Sequence, residues 1–331
     1  MDLSDRILEL LYDRPAGFFG LDDLAAAAGT DSGVVEGALE RLAARGHRFE
    51  RTPVQGVRLL RPTLLDAHLV ERDLPVEQIG RHVICFGEVD STNDVAFDSA
   101  RQAGGRALVV TAEFQRAGRG RGGRKWLSPP GGGVLASVLL HEAAARLPGE
   151  ALTIAAGLAV AEGVEAGTGV HAGLEWPNDV VIDGAKVAGV IVEVRSAEVA
   201  AGRAGRVVVG LGINVNAAPP AEQVARAVTC LSESAGRTLE RIEILRAVLL
   251  RLDEWVAGLL AAKAEDLHRR WCARCQMINR RVTVTSGRES FTGRVLDVSP
   301  FDGLILLTDD GRRVHLPAAT STVTRQPEGA L

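Results

Sequence analysis

The chain has 331 residues, 46 % hydrophobic and 24 % charged, a composition that supplies packed cores and excludes a disordered or disulfide-stapled protein. Thirty-eight lysines and arginines against 42 acids leave a net charge of −4, so any nucleic-acid contact must come from a local patch. Four cysteines are too few for a disulfide framework, Met1–Arg6 is unlike a signal peptide, and no apolar run approaches the roughly 20 residues of a membrane span; a cytoplasmic protein is expected.

Residues 1–62 read as a small helical unit with a hairpin. Ser4 is the expected N-cap of a helix carrying Ile7, Leu8, Leu10 and Leu11, which ends near Pro15. A second helix runs from Leu21 to Ala28, and Asp31 or Ser32 caps a third that carries Val35, Ala38, Leu39 and Leu42. The short turn Gly29-Thr30-Asp31 between them gives a helix-turn-helix shape, and Arg48–Thr52 and Val57–Leu60 follow as a β-wing.

Residues 66–276 mix strand-like runs (Val83–Val89, Leu108–Thr111, Val134–Leu140, Val187–Val194, Val207–Gly212) with helices at 150–166 and 241–262, a mixed α/β pattern. Ala151–Ala161 reads as a buried helix. Residues 278–325 alternate as short strands with turns at Ser286-Gly287, Asp302-Gly303 and Asp310-Gly311, the pattern of a small SH3-like β-barrel. The overall class is α+β.

The most distinctive segment is Gln115 to Trp126. Between Arg116 and Lys125 it has five cations, four glycines and no acid. Glycines let backbone N–H groups approach an anion, and arginines fork onto phosphate or carboxylate oxygens. A solvated basic loop would share that composition, but the flanking strand and Trp126 favour a folded anion site with an aromatic available to a base. No P-loop and no dinucleotide glycine fingerprint is present, so NAD is not expected, and Gly210-Leu-Gly-Ile-Asn-Val-Asn216 reads as a buried strand with a tight bend.

Trp176-Pro-Asn-Asp179 is a turn or a place where Asn178 and Asp179 face one site, with Asp179 a candidate ligand for Mg²⁺. Lys186, the sole lysine between Lys125 and Lys263, is a solvated strand end or a point charge for phosphate. Ser91-Thr-Asn-Asp94 fits a helix N-cap or a set of hydroxyls around a neutral ligand head. Cys272-Ala-Arg-Cys275 lacks a second pair or a nearby histidine, so it reads as structural and no zinc is expected.

In this order the segments resemble the biotin protein ligases, specifically the bifunctional bacterial kind with an N-terminal winged helix. Gly118-Arg-Gly-Arg-Gly-Gly-Arg-Lys-Trp126 is the specific carrier; Ser91-Thr-Asn93, Gln115, Trp176-Pro-Asn-Asp179, Lys186-Val-Ala-Gly189 and Gly210–Asn214 support it. The resemblance implies a winged helix-turn-helix (1–62), a biotin/lipoate-ligase-like catalytic domain (66–276) and an SH3-like C-terminal domain (278–325). It implies that biotin and ATP form biotinyl-5′-AMP, and that a lysine of a biotin carboxyl carrier protein then takes the biotinyl group. Arg119, Arg121 and Lys186 would serve the reacting carboxylate and α-phosphate. Ser91, Thr92, Asn93, Gln115 and Gly120 would join them around biotin. Arg121, Arg124, Trp126, Asn178, Lys186 and Asn214 would hold ATP, and Asp179 and Asn214 Mg²⁺. It also implies operator DNA and a homodimer as partners. A biotin-sensing regulator and a lipoate-type ligase are the alternatives.

Two features depart from that family. Glu175 stands where a lysine is usual before Trp-Pro-Asn-Asp, so it is expected to face solvent or pair with an arginine. Residues 1–62 hold eight arginines and ten acids, a net −2 (8 − 10), with Glu36 and Glu40 beside Arg41 on the recognition helix. Few groups remain to meet phosphate or base edges, although Arg45, Arg48, Arg51 and Arg58 are placed to anchor a wing.

Overall fold

The computed structural model describes residues 2–195, 205–299 and 302–324. It opens with α1 (Leu3–Tyr12), α2 (Leu21–Ala28) and α3 (Ser32–Ala44), followed by an antiparallel hairpin of β1 (Phe49–Thr52) and β2 (Gly56–Leu59). Ile7, Leu8 and Leu11 meet Leu24, Val35, Leu39 and Leu42 in one buried cluster, the result of apolar residues at helical spacing. Gly29 ends α2 at φ 72°, a left-handed conformation that disfavours a β-carbon. Ser4 lies inside α1 rather than capping it: Asp2 holds the cap position, and the Ser4 hydroxyl accepts a hydrogen bond from Arg41 Nε at 3.1 Å. Asp31 holds the cap position of α3 without a capping bond, and the Ser32 hydroxyl donates to Asp22.

The central part runs α4 (Ala67–Glu71), β3 (Val83–Val89), α5 (Thr92–Asp98), α6 (Ala100–Ala103), β4 (Leu108–Gln115), β5 (Gly133–Leu139) and α7 (Gly149–Thr168). It continues with β6 (Gly173–Glu175), β7 (Asp179–Ile182), β8 (Ala185–Arg195), β9 (Arg206–Asn214), α8 (Leu231–Ala235), α9 (Arg241–Leu260) and α10 (Ala264–Arg274). Its strands form one seven-stranded sheet in the order β3-β4-β5-β9-β8-β7-β6, in which β3 and β4 pair in parallel across α5 and α6 and the other pairs are antiparallel. α7 and α9 pack on each other over one face, and α5 covers β4, β5 and β9 on the other. A β-carbon on Gly163 or Gly167 would come within 2.7 Å of Val248 or Ile244, so small residues set how closely α7 and α9 approach. Among the described residues α7 alone passes by length and composition as a membrane span, yet 67 % of its apolar window is buried inside the protein, as a core helix requires.

Strand alternation assigns the two faces. On β9, Val207, Val209, Leu211 and Ile213 join the α7–α9 core. Val208 packs beneath α5, while Gly210, Gly212 and Asn214 line a cleft on that same side. β9 thus runs as a buried strand through Asn214.

The last part is a five-stranded antiparallel sheet in the order β13-β12-β11-β10-β14, built from β10 (Arg281–Ser286), β11 (Glu289–Ser299), β12 (Gly303–Thr308), β13 (Arg313–Leu316) and β14 (Ser321–Thr324). Gly287, Gly303 and Gly311 take φ of 61°, 78° and 85° at the three expected turns. A bulge between Val295 and Asp297 interrupts the β11–β12 register. The N-terminal helices dock on α9, where the Tyr12 hydroxyl donates to Glu243 at 2.7 Å. Beside them the buried Arg241 pairs with Glu113 at 2.7 Å and donates to the Thr63 carbonyl at 3.1 Å.

Candidate active site

The sequence-predicted site residues come together in a single cleft. A cavity of about 2010 Å³ between the α5 face of the large sheet and the C-terminal sheet is lined by Ser91, Thr92, Asn93, Gln115, Arg119, Gly120, Arg121, Arg124, Trp126, Asn178, Asp179, Lys186 and Asn214. Their backbones belong to the N-terminus of α5, the end of β4, the loop after it, the β6–β7 turn, and β7, β8 and β9.

The arginine-glycine segment is a folded hairpin. Arg119 bridges Lys125, Gly120 N–H donates to the Arg124 carbonyl at 2.7 Å, and Trp126 N–H donates to the Gly118 carbonyl at 2.9 Å. Gly122 and Gly123 turn the chain at φ 65° and 75°. Arg119 forks onto Asp94 at 2.6 and 3.0 Å and also reaches Glu193 at 3.1 Å. Those hydrogen bonds, Asp94's first, raise the Arg119 guanidinium above its already high ordinary pKa, and the Arg119 bond in turn holds the Asp94 carboxyl below the usual range. Arg121 leaves the cleft floor and donates through Nη2 to the carbonyls of Ala318, in the turn before β14, and of Ser321, at the start of β14. Burial, and then the charge of Arg124, lower its pKa.

At one end lies a neutral polar pocket. The Gln115 amide oxygen accepts from Thr92 N–H at 2.7 Å and from the Thr92 hydroxyl at 3.0 Å. Beneath them the Ser137 hydroxyl lies 2.6 Å from Thr92 Oγ1 and donates to Asn93 Oδ1 at 2.5 Å. Asn93 Nδ2 donates to Glu193 at 2.6 Å. Gly210 is small for a reason: a β-carbon there would stand 2.7 Å from Asn93 Oδ1. Ser91 holds the cap position of α5 but makes no side-chain capping bond.

At the other end cations and acids alternate. Lys186 Nζ lies 2.5 Å from Asp179 and 5.3 Å from the centre of the Trp126 ring. Glu175, buried in β6, meets Arg226 at 2.9 Å, and Arg226 also reaches Asp179 at 2.8 Å. Glu175 therefore pairs with an arginine, the second of its two expected environments. Asn178 is spent on the backbone, donating to the Val190 carbonyl at 2.6 Å. Asn214 donates to Thr229, while its Oδ1 is buried without a hydrogen-bond partner among the described residues. The Trp126 ring rests on paired Gly189 and Gly212, where β-carbons would approach it to 3.0 and 2.4 Å.

Sequence reasoning missed Ser137, Glu193 and Arg226. A lone serine in the apolar strand Gly133–Leu139 was a signal for Ser137; Arg226 sits in a loop with no local mark.

A cationic hairpin facing a polar pocket and an acid-held lysine, on a mixed sheet, defines a cleft of the kind that binds anionic ligands. Residues 86–214 match the biotin/lipoate A/B protein ligase family and residues 277–320 the biotin protein ligase C-terminal domain. The chain is 31 % identical to the biotin–[acetyl-CoA-carboxylase] ligase of Paracoccus denitrificans, over 71 % of its own length and 97 % of that protein's. It is 27 % identical to the bifunctional ligase/repressor BirA of Bacillus subtilis, over 93 % of its length and 95 % of the relative's. Its fold matches the Aquifex aeolicus biotin protein ligase solved with biotin and ATP (TM-score 0.65, 29 % identity, 74 % of this chain and 100 % of that one). The chain belongs to the biotin protein ligase family.

Proposed function

We propose that the chain joins biotin to a lysine of a biotin carboxyl carrier protein at the expense of ATP. A biotin carboxylate oxygen attacks the α-phosphorus and pyrophosphate leaves; the carrier amine then attacks the acyl carbon of biotinyl-5′-AMP, AMP leaves, and the amine proton passes to solvent. The observation that carries this reading is that Arg119, Arg121 and Lys186 line one cleft that also holds the neutral pocket of Thr92, Asn93 and Gln115. Carboxylate and triphosphate repel one another, so cations where they meet lower the barrier. Ser91, Thr92, Asn93, Gln115 and Gly120 surround the biotin head. Arg124, Trp126 and Asn178 lie on the nucleotide side. The hairpin shields the adenylate from water.

Mg²⁺ takes few protein oxygens beside those of substrate phosphates, and the unpartnered Asn214 Oδ1 fits that demand. Asp179 fits it once its ion pairs to Lys186 and Arg226 part. The ion would neutralise triphosphate charge.

Incubation with ATP, Mg²⁺, labelled biotin and a carrier domain tests the reading. Label on the carrier is the expected result. Adenylate without transfer indicates a sensor, and labelling by lipoate instead of biotin indicates the other ligase class.

The element boundaries support a division into a winged helix (1–62), a catalytic domain (66–276) and an SH3-like domain (278–325), although residue 325 lies outside the described residues. Four free cysteines agree with a cytoplasmic location. The edge strands β3 and β6 are surfaces that a carrier or a second copy would extend in a homodimer. Operator DNA is a weak partner in this reading. Arg51 is paired with Glu36 at 2.6 Å, Arg58 with Glu50 at 2.5 Å, and Arg45 with Asp5 at 2.8 Å. Binding to promoter DNA should therefore fall with salt at a log–log slope of about −1 to −2, one or two phosphate contacts; a slope of about −5 or steeper excludes weak contact.

A further inference from the structure

Cys272-x-x-Cys275 has no part in the chemistry above. On α10 His268 and Cys272 are four residues apart and share one face of the helix. Asp297, beside the bulge in β11, lies against that face. His268 Nε2 lies 2.9 Å from Asp297 Oδ1, and the Cys272 thiol donates to the same oxygen at 3.2 Å. Val298 N–H donates to it as well at 2.8 Å, so three neighbours crowd a single carboxylate oxygen. The ligand-type atoms of His268, Cys272 and Asp297 all lie within 4.8 Å of one another, and all three residues are half-buried and reachable from solvent.

We infer that His268, Cys272 and Asp297 form a site for a borderline divalent transition ion, Zn²⁺ by preference, that clasps α10 to the C-terminal sheet. One imidazole nitrogen, one thiolate and one carboxylate are the donor set such ions take, whereas Mg²⁺ and Ca²⁺ take oxygens. Around a tetrahedral Zn²⁺, donor atoms stand about 3.3–3.6 Å apart. The observed 2.9 and 3.2 Å separations to Asp297 would open by a few tenths of an ångström, and the His268 and Cys272 donor atoms already stand within 4.8 Å of each other. A thiol ligates such an ion as the thiolate, so the ion must displace the Cys272 proton and its uptake weakens as pH falls. The fourth position is left to water. The site corrects the sequence expectation that no histidine stands near the Cys-x-x-Cys pair: His268, one helical turn before Cys272, was the overlooked signal.

The consequence is mechanical. The clasped sheet includes the Ser321 carbonyl that receives Arg121, so the ion steadies the surface on which the cationic hairpin rests.

The test uses the untagged full-length chain, grown with Zn²⁺ and desalted. Elemental analysis should find about one equivalent of zinc, and Co²⁺ substitution should give a thiolate-to-metal charge-transfer band with tetrahedral d–d bands. Cys272→Ser and His268→Gln should each weaken Zn²⁺ binding about tenfold or more, with the charge-transfer band lost in the former. Cys275→Ser should retain both metal and band, because its sulfur is outside the group of three. Zn²⁺ should raise the melting temperature of the wild type and not of Cys272→Ser, a readout independent of ligase activity. Zinc below a tenth of an equivalent with no effect of added Zn²⁺ on melting overturns the proposal. So does retention of zinc by Cys272→Ser, or its loss from Cys275→Ser.

Discussion

Replacing Gly212 with alanine tests whether the seat of Trp126 governs nucleotide binding. On this backbone the added methyl carbon would stand 2.4 Å from Trp126 Cε2, 2.6 Å from Cζ2 and 2.8 Å from Cδ2. Carbon atoms rest about 3.5–4.0 Å apart, so the indole must retreat by roughly 1 Å. Gly212 lies within a β-strand and has no positive φ, so alanine suits its backbone and the clash falls on the ring. Overpacking of this kind costs about 1–3 kcal/mol, which converts to about 5- to 150-fold in affinity. Pyrophosphate release at saturating biotin should show KM for ATP raised by that factor, with the melting temperature moved by only about a few degrees. Gly189→Ala is the graded comparison. Its methyl would meet Trp126 Cζ3 and the flexible Lys186 Nζ each at 3.0 Å, so it should raise KM less. An unchanged KM in Gly212→Ala, or equal increases in both variants, refutes the reasoning.

Arg226→Ala removes the cation between Glu175 and Asp179. Losing charge-assisted bonds worth about 1.5–3 kcal/mol should raise KM for ATP about 10- to 150-fold, with part recovered by Arg226→Lys; initial rates against ATP concentration decide it. Arg241→Ala strips the partner from Glu113 in a buried pair and should destabilise the chain by about 3–5 kcal/mol, read from the urea midpoint. Asp66 is buried, which alone would raise its pKa, but bonds from His47 and Arg45 outweigh burial and hold the carboxyl below the usual range. A carboxylate depressed in the folded state contributes stability above its unfolded pKa of about 3.9 and loses it as pH falls through the folded value. Asp66→Asn should therefore lower the melting temperature clearly at pH 7, with the gap to wild type closing below about pH 3.9; a gap independent of pH contradicts the assignment.

The arginine-glycine hairpin was readable because its chemistry is local: five cations and four glycines in ten residues have few other uses. The helix ends at Gly29 and the turns at Gly287, Gly303 and Gly311 were readable because left-handed backbone selects glycine. What escaped was whatever depended on a distant partner. Ser137 looks like one polar residue in a strand until the pleat aims it at Thr92 and Asn93. Arg226 has meaning only beside Glu175 and Asp179, some fifty positions earlier. Ser4 had the right type for a cap, yet tertiary contact with Arg41 took its hydroxyl. Asp297 meets α10 beside a bulge in β11, an irregularity that no alternation pattern announces.

Arg121 takes its resting bonds from carbonyls 197 and 200 positions further along the polypeptide. During translation, then, the hairpin emerges long before the groove edge that receives it. A nascent chain that has completed the seven-stranded sheet still carries this guanidinium unmoored, and the anchorage closes only when the last strands leave the ribosome. The C-terminal sheet thus determines when, in the life of the newly made protein, its most cationic segment comes to rest.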